Sequence, residues 1–206
     1  LSGNSNDAVE SEKKLAEFYN SENALIYTSG YTANVGLISC LSSRHDLILY
    51  DEKVHASIRD GVGLSKAKSF SFKHNSVSDL ERQLKSNLNS YSNVFVLIES
   101  LYSMTGTFSD LVRICELCET YNAHLIVDEA HSIGAFGDNG RGLCHKFNIH
   151  NRVFARVITF GKAYGLMGAA VLSSNVTIEY LMNFSRSFIY TTALPSSIYK
   201  QIKENV

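Results

Sequence analysis

The chain has 206 residues, 45% hydrophobic and 19% charged. That is enough apolar material for one large packed domain and is not the composition of a disordered or low-complexity chain. Nineteen Lys and Arg against 20 Asp and Glu leave a formal net charge of −1, and without a basic excess or a Lys/Arg run, nucleic-acid binding is excluded as the main role. No apolar stretch approaches the ~18–20 residues of a membrane span, and no charged-then-apolar leader points to secretion, so a membrane role is excluded and a cytoplasmic setting is expected. The chain opens on Leu1 and closes on Lys203-Glu204-Asn205-Val206 within a helix-like pattern, which reads as a piece of a longer protein.

Helix-like and strand-like segments alternate almost throughout. Asp7 to Asn20 is charged and amphipathic, with Leu15, Phe18 and Tyr19 on its apolar side. Ala24-Leu25-Ile26-Tyr27 reads as a strand running into Ser29-Gly30-Tyr31-Thr32-Ala33-Asn34, a turn that opens the next helix. Leu47 to Tyr50 is a second strand ending at Asp51, followed by a helix from about His55 to Ser65 and a strand from Ser69 to Phe72. Ser78 is expected to cap a helix with Leu80, Leu84 and Leu88 at four-residue intervals. Val94-Phe95-Val96-Leu97-Ile98 is a continuous apolar run, as expected of a strand covered on both faces. A helix from Leu111 to Tyr121 and a buried strand from His124 to Val127, ending at Asp128, come next. Val153 to Thr159 and Ala169 to Leu172 are the last strands. Val176 to Phe184 and the stretch from Ser196 are helical, with Pro195 marking the turn into the latter. Strands separated by single helices make parallel βαβ units, so the class is α/β with a mostly parallel sheet flanked by helices. Neither a linker nor an internal repeat divides the chain.

Four cysteines are present. Cys115 and Cys118 form a C-x-x-C, but inside a helical pattern with no Gly/Pro turn and no second pair, so buried free thiols are expected rather than a zinc or redox site.

In open α/β sheets, function collects beyond the carboxyl ends of the strands. Here those ends carry Gly30-Tyr31, Asp51 to His55, Glu99 to Ser103, Asp128 to His131 and Thr159 to Lys162. Singly, an Asp at a strand end is often a turn cap, a His is often hydrogen-bonded structure, and a Lys is often a surface charge. In order, at successive strand ends, they read as one site. The strand ending in Asp128-Glu129-Ala130-His131 also occurs in nucleotide-driven helicases. That chemistry needs a phosphate loop, and the chain's Gly161-Lys162 is followed by Ala163 with no Gly five residues before Gly161.

The sequence resembles the α-oxoamine synthases, pyridoxal 5'-phosphate enzymes of fold type I. The matching blocks include Ser29–Asn34, Asp51–Ser57, Phe72–Asn75, Glu99–Met104, Asp128–Gly134, Gly140–Gly142, Thr159–Ala163 and Phe188–Pro195, in the family's order across nearly the whole chain. The resemblance implies that residues 1–206 form the cofactor-binding large domain, without the family's N-terminal segment and C-terminal small domain. It further implies that Lys162 forms a Schiff base with the cofactor aldehyde, which a partly desolvated pocket would favour. Asp128 would pair with the pyridine nitrogen and keep the ring an electron sink. His131 would bond the ring hydroxyl, His55 would stack on the ring, Ser103 would contact the cofactor, and Glu99 would support the site from behind. The phosphate would rest on the N–H groups of Gly30 and Tyr31 at a helix N-terminus, with Thr159 adding a hydroxyl. Thr191 and Thr192 match a segment reaching a second subunit's phosphate, which implies a homodimer with shared active sites.

The implied reaction is a decarboxylative condensation of an amino acid with an acyl-CoA, alanine and pimeloyl-CoA being the expected pair. Other readings stand beside it: another oxoamine synthase, of the 2-amino-3-ketobutyrate:CoA ligase, 5-aminolevulinate synthase or serine palmitoyltransferase type, or another fold type I enzyme such as an aminotransferase or lyase, and a non-catalytic fragment or subunit. Ser103-Met104-Thr105-Gly106-Thr107 departs from the family's usual Ser-Met-Asp-Gly-Asp, and Tyr164-Gly165-Leu166-Met167-Gly168 is bulkier than the family's stretch after the lysine.

Overall fold

The computed structural model describes residues 4–87 and 90–206. Helix α1 (Asn6–Phe18) is capped by Ser5 and leads into strand β1 (Asn23–Tyr27). Helix α2 (Gly30–Leu41) starts at a reciprocal capping box, in which Ser29 takes the Thr32 N–H and the Thr32 hydroxyl takes the Ser29 N–H. Then follow β2 (Leu47–Asp51), α3 (Ala56–Leu64), β3 (Lys68–Phe72), α4 (Val77–Ser86), β4 (Val94–Glu99), α5 (Leu111–Thr120) and β5 (His124–Asp128). A single-turn helix α6 (Leu143–Lys146) precedes β6 (Ala155–Thr159) and β7 (Ala169–Ser173), and helices α7 (Asn175–Phe184), α8 (Arg186–Ile189) and α9 (Ser196–Glu204) complete the chain.

The seven strands form one sheet in the order β1-β7-β6-β5-β4-β2-β3. Six run parallel and β7 alone runs against both neighbours. The α/β class and mostly parallel sheet expected from the sequence are therefore present. One connection breaks the pattern: β6 and β7 are adjacent and antiparallel, joined directly by residues 160–168 without a helix. Two smaller differences are local. The cap of α4 is Ser76, whose hydroxyl accepts the Asp79 N–H at 3.2 Å, and Ser78 lies within the helix. His55 caps α3 instead of belonging to it. The expected Leu88 of the α4 stripe lies outside the described residues. Pro195 does mark the start of α9.

Strand side chains alternate between faces, and the core divides accordingly. Leu25, Tyr27, Ile48, Leu97, Ile126 and Val157 face α2, α3 and α7. Leu47, Leu49, Val96 and Val127 face α4, α5 and α6, from which the buried Cys115, Cys118 and Cys144 pack into the same cluster, and Ala24, Ile26 and Ile158 face α1 and α9. All four cysteines are free thiols, three buried and Cys40 half-buried. Edge strand β1 is covered by α1, where the Glu12 carboxylate accepts the otherwise unpaired Ile26 N–H at 2.9 Å.

One charged pair lies inside the fold. Arg156 on β6 is 1% exposed and Glu129, just past β5, is 0% exposed. They approach to 3.8 Å, while Arg156 donates to the Tyr19 carbonyl at 2.6 Å and Glu129 accepts the Cys144 N–H and Ser132 hydroxyl. A Cβ at Gly142, whose φ is +92°, would meet the Glu129 carboxylate at 2.6 Å, so only glycine fits there. Removing one member of a buried pair strands the other charge. Arg156→Met is therefore expected to cost about 3–5 kcal/mol in denaturant unfolding, whereas Arg152→Ala, which breaks the exposed pair with Glu119, should leave the midpoint near that of the unmodified protein.

Candidate functional site

The carboxyl ends of all strands but β7 lie along one edge of the sheet. The alternation of β4, β5 and β6 places Glu99, Asp128 and Thr159 on the same face as Leu97, Ile126 and Val157, toward α2. Glu99 and Asp128 are direct partners across β4 and β5. Both are buried, at 4% and 7% exposure.

Asp128 is held through both oxygens: Oδ1 accepts the Ala130 N–H at 2.9 Å, and Oδ2 accepts from Asn34 Nδ2 at 2.7 Å. The same Asn34 amide reaches the Ser57 hydroxyl at 3.0 Å. Glu99 Oε1 accepts the His55 N–H at 2.7 Å, tying the start of α3 to β4, while His55 Nδ1 meets the Ser57 hydroxyl at 2.8 Å. Burial pushes the Glu99 carboxyl up to about 7, with the neighbouring Asp128 carboxylate adding to the rise and the His55 N–H and Lys162 opposing it. His131, half-buried, is held below the usual imidazole range first by burial and then by the charge of Lys162. It also senses Asp128 and His55. Glu99, Asp128, His55, His131 and Lys162 thus share one electrostatic neighbourhood, as their positions at successive strand ends anticipated.

Lys162 lies on the β6–β7 connection. Phe160 anchors that loop by bonding Gly168 and Leu166 through its backbone, and the Gly165 N–H closes on the Lys162 carbonyl at 3.1 Å. The segment after Asp128 packs directly against it: Gly134, with φ +74°, leaves no room for a Cβ beside that of Ala163. Lys162 itself is exposed, not partly desolvated as expected, because the loop projects past the edge of the sheet.

A cleft of about 590 Å³ lies between the start of α2 and this loop, lined by Ser29, Gly30, Thr159, Gly161 and Met167 among others. The N–H groups of Gly30 and Tyr31 have no acceptor among the described residues, and they head α2 with its partial positive charge. A Cβ at Gly30 would come into van der Waals contact with Thr159, 3.6 Å from its Cβ and 3.7 Å from its hydroxyl, narrowing the cleft between them. An anion fits the donors of this cleft, two free N–H groups at a helix start with the Thr159 hydroxyl, which donates to the Gly168 carbonyl at 3.3 Å, beside them, while the doubly held Asp128 closes β5 on the same sheet edge. The Tyr31 ring turns outward, its hydroxyl 2.5 Å from Asp60, so its part in the cleft is played by its backbone.

Three expected residues stand apart. Ser103 is exposed in the turn after β4 and makes no hydrogen bond among the described residues. Thr191 and Thr192 line a different groove, of about 1270 Å³, beside β1 and α1. In the Ser103 turn, Thr107 meets His74 Nε2 at 2.8 Å and the Thr105 hydroxyl at 2.7 Å, and His74 Nδ1 bonds Asp51 at 2.9 Å. The threonines standing where the family has carboxylates thus tie this turn to the β2 end. Sequence reasoning gives Asn34 no role of its own, and the signal that could have found it is an amide one turn after the Ser29 cap of α2.

The profile of the aminotransferase class I and II family matches residues 2–204. The chain is a member of that family, on its α-oxoamine synthase branch. The 8-amino-7-oxononanoate synthase of Chlorobaculum parvum (strain DSM 263 / NCIMB 8327) is 43% identical over 195 residues, covering 95% of this chain and 50% of that protein. The solved serine palmitoyltransferase of Sphingomonas wittichii superposes with a TM-score of 0.94 at 35% identity, covering 100% of this chain and 51% of that one. A serine palmitoyltransferase structure holding PLP as its internal aldimine matches with the same TM-score at 34% identity, again over 100% and 51%. The chain is thus homologous to an acyltransferase, has the large-domain fold of the fold type I enzymes, and spans about half the length of the relatives it matches. No helix among the described residues is long and apolar enough to cross a membrane.

Glu99 and Glu12 give the fold a pH signature. Burial lifts each to about 7, while an unfolded glutamate titrates near its ordinary value of about 4.3. Between these limits the native state holds protons that the unfolded chain has released, so stability is full below the lower value, declines as pH rises through the window and levels off above about 7. Thermal unfolding across pH 4.5–8 should show this decline, and the Glu12→Gln and Glu99→Gln variants should each flatten part of it.

Proposed function

We propose that residues 1–206 are the cofactor-binding large domain of an 8-amino-7-oxononanoate synthase, condensing L-alanine with pimeloyl-CoA and releasing CoA and CO₂, as in biotin synthesis. What carries the reading is the meeting of Asp128, Glu99, His131 and Lys162 at one sheet edge beside an anion-ready helix start, in a chain 43% identical to an enzyme of that name.

Pyridoxal 5'-phosphate, when bound, would supply an electron sink for negative charge at the amino acid α-carbon. Gly30 and Tyr31 would hold its phosphate through their N–H groups and Thr159 through its hydroxyl. Asp128 would accept the ring N–H with a carboxylate that Asn34 and Ala130 keep from rotating. His131 would hydrogen-bond the ring hydroxyl, and His55, placed by Glu99, would lie against the ring. Lys162 would hold the cofactor at its aldehyde carbon through Nζ and would be the base for the α-proton of the amino acid. Ser103 would add a cofactor contact from its turn. Thr191 and Thr192, which line a separate groove, would serve a second copy's phosphate, and the working enzyme would be a cytoplasmic homodimer with shared sites.

The serine palmitoyltransferase likeness favours a second reading with the same chemistry, serine and a palmitoyl thioester replacing alanine and pimeloyl-CoA. Both readings predict that borohydride treatment with pyridoxal phosphate fixes one cofactor mass on the Lys162 peptide and none on that peptide in Lys162→Ala, as read by peptide mass spectrometry. Thiol release with alanine and pimeloyl-CoA supports the first reading, and release only with serine and palmitoyl-CoA supports the second. Labelling scattered over other lysines would contradict both.

A further inference from the structure

We infer that the paired hydroxyls of Tyr19 and Tyr164 form a latch that positions the Lys162 loop at the sheet edge. The oxygens lie 2.7 Å apart. Tyr19, in the turn after α1, is 0% exposed, and Tyr164 is half-buried two residues beyond Lys162.

The loop needs such a hold. Gly161, Lys162, Ala163, Gly165 and Met167 are all exposed, and only Tyr164 and Leu166 turn inward between Phe160 and the buried Gly168. Tyr164 packs edge-on to Phe160 with ring centroids 5.8 Å apart, which fixes the ring's place but not its height above the sheet. The hydroxyl contact supplies the missing constraint, because Tyr19 is itself anchored. Its carbonyl accepts from Arg156 at 2.6 Å, its ring lies under that guanidinium, and Arg156 pairs with Glu129, the residue after Asp128. A continuous buried chain therefore runs from the β5 end, through Arg156 and Tyr19, to Tyr164 and the lysine loop. It sets the separation between the acid at 128 and the amine at 162 from the face of the sheet opposite the site.

Tyr164 also belongs to the stretch that departs from the family pattern after the lysine. Its phenolic hydroxyl meets Tyr19 in the core. Tyr164 and Tyr19 are positioning residues; neither reaches the reacting atoms.

Removing one hydroxyl by Tyr164→Phe or Tyr19→Phe keeps the ring packing and leaves a single buried O–H without its partner, a loss equivalent to about fivefold in a local equilibrium. Hydrogen exchange on the protein without cofactor should show the Gly165 and Leu166 amides exchanging about fivefold faster in either variant and no faster still in the double variant, with Val127 in β5 unchanged. The rate of borohydride-trappable pyridoxal phosphate capture at Lys162 should fall by a similar factor. Unchanged exchange in both single variants, or additive effects in the double variant, would overturn the latch. Faster exchange with an unaltered capture rate would overturn its positioning role. This role rests on the cofactor reading above, and the two fail differently. No Lys162 adduct in the unmodified protein would refute the cofactor reading and the positioning with it, while the exchange data would still decide whether the latch holds the loop.

Discussion

Two N–H donors aimed at one buried carboxyl govern this structure. Asp128 ends β5 inside the protein, and Asn34 and Ala130 each hold one of its oxygens. A carboxylate in such a place is costly unless its lone pairs are met, and meeting them commits other parts of the fold. Asn34 must come from α2, so α2 must cross this face one turn after the Ser29 cap. Ala130 must follow Asp128 at once in a tight turn. The bond from Asn34 to Ser57 then brings in α3, whose cap, His55, is tied to Glu99. A single satisfied acid thus draws β4, β5, α2 and α3 to one edge.

The opposite face supplies the rigidity. Arg156 and Glu129 alternate with Val157 and Asp128 along the chain, so the ion pair and the Asp128 carboxyl lie back to back across the sheet. Buried ion pairs contribute little net stability. This one acts more as a spacer, fixing β5, β6 and the turn after α1 in relative position. The loop that carries Lys162 can then be exposed without losing its place at the sheet edge.

Much of this was legible in the sequence. Apolar runs such as Val94–Ile98 and His124–Val127 declare buried strands whatever their context, and the polar residues that close them fall at the functional edge because parallel strands share a direction. The antiparallel β7 was not legible as such. Ala169–Leu172 is a short apolar run, and nothing in such a run encodes direction; only the pairing does. The cap of α4 was misplaced because Ser76 and Ser78 are equally good acceptors, and the choice is made by where the chain leaves β3. Nothing local marks Arg156 as half of a pair, since its partners Glu129 and Tyr19 are distant in sequence. The exposure of Lys162 was missed for a similar reason: desolvation depends on what packs over a loop, which no local pattern records.

The account turns on Asp128 and Lys162 addressing opposite ends of one heterocycle. A crystal structure of the protein with pyridoxal 5'-phosphate tests this most directly. The account predicts continuous density from Lys162 Nζ into the ring, the ring nitrogen within hydrogen-bonding distance of Asp128, and the phosphate on the Gly30 and Tyr31 N–H groups. A cofactor bound with its nitrogen away from Asp128, or with its phosphate outside the cleft at the start of α2, would contradict it.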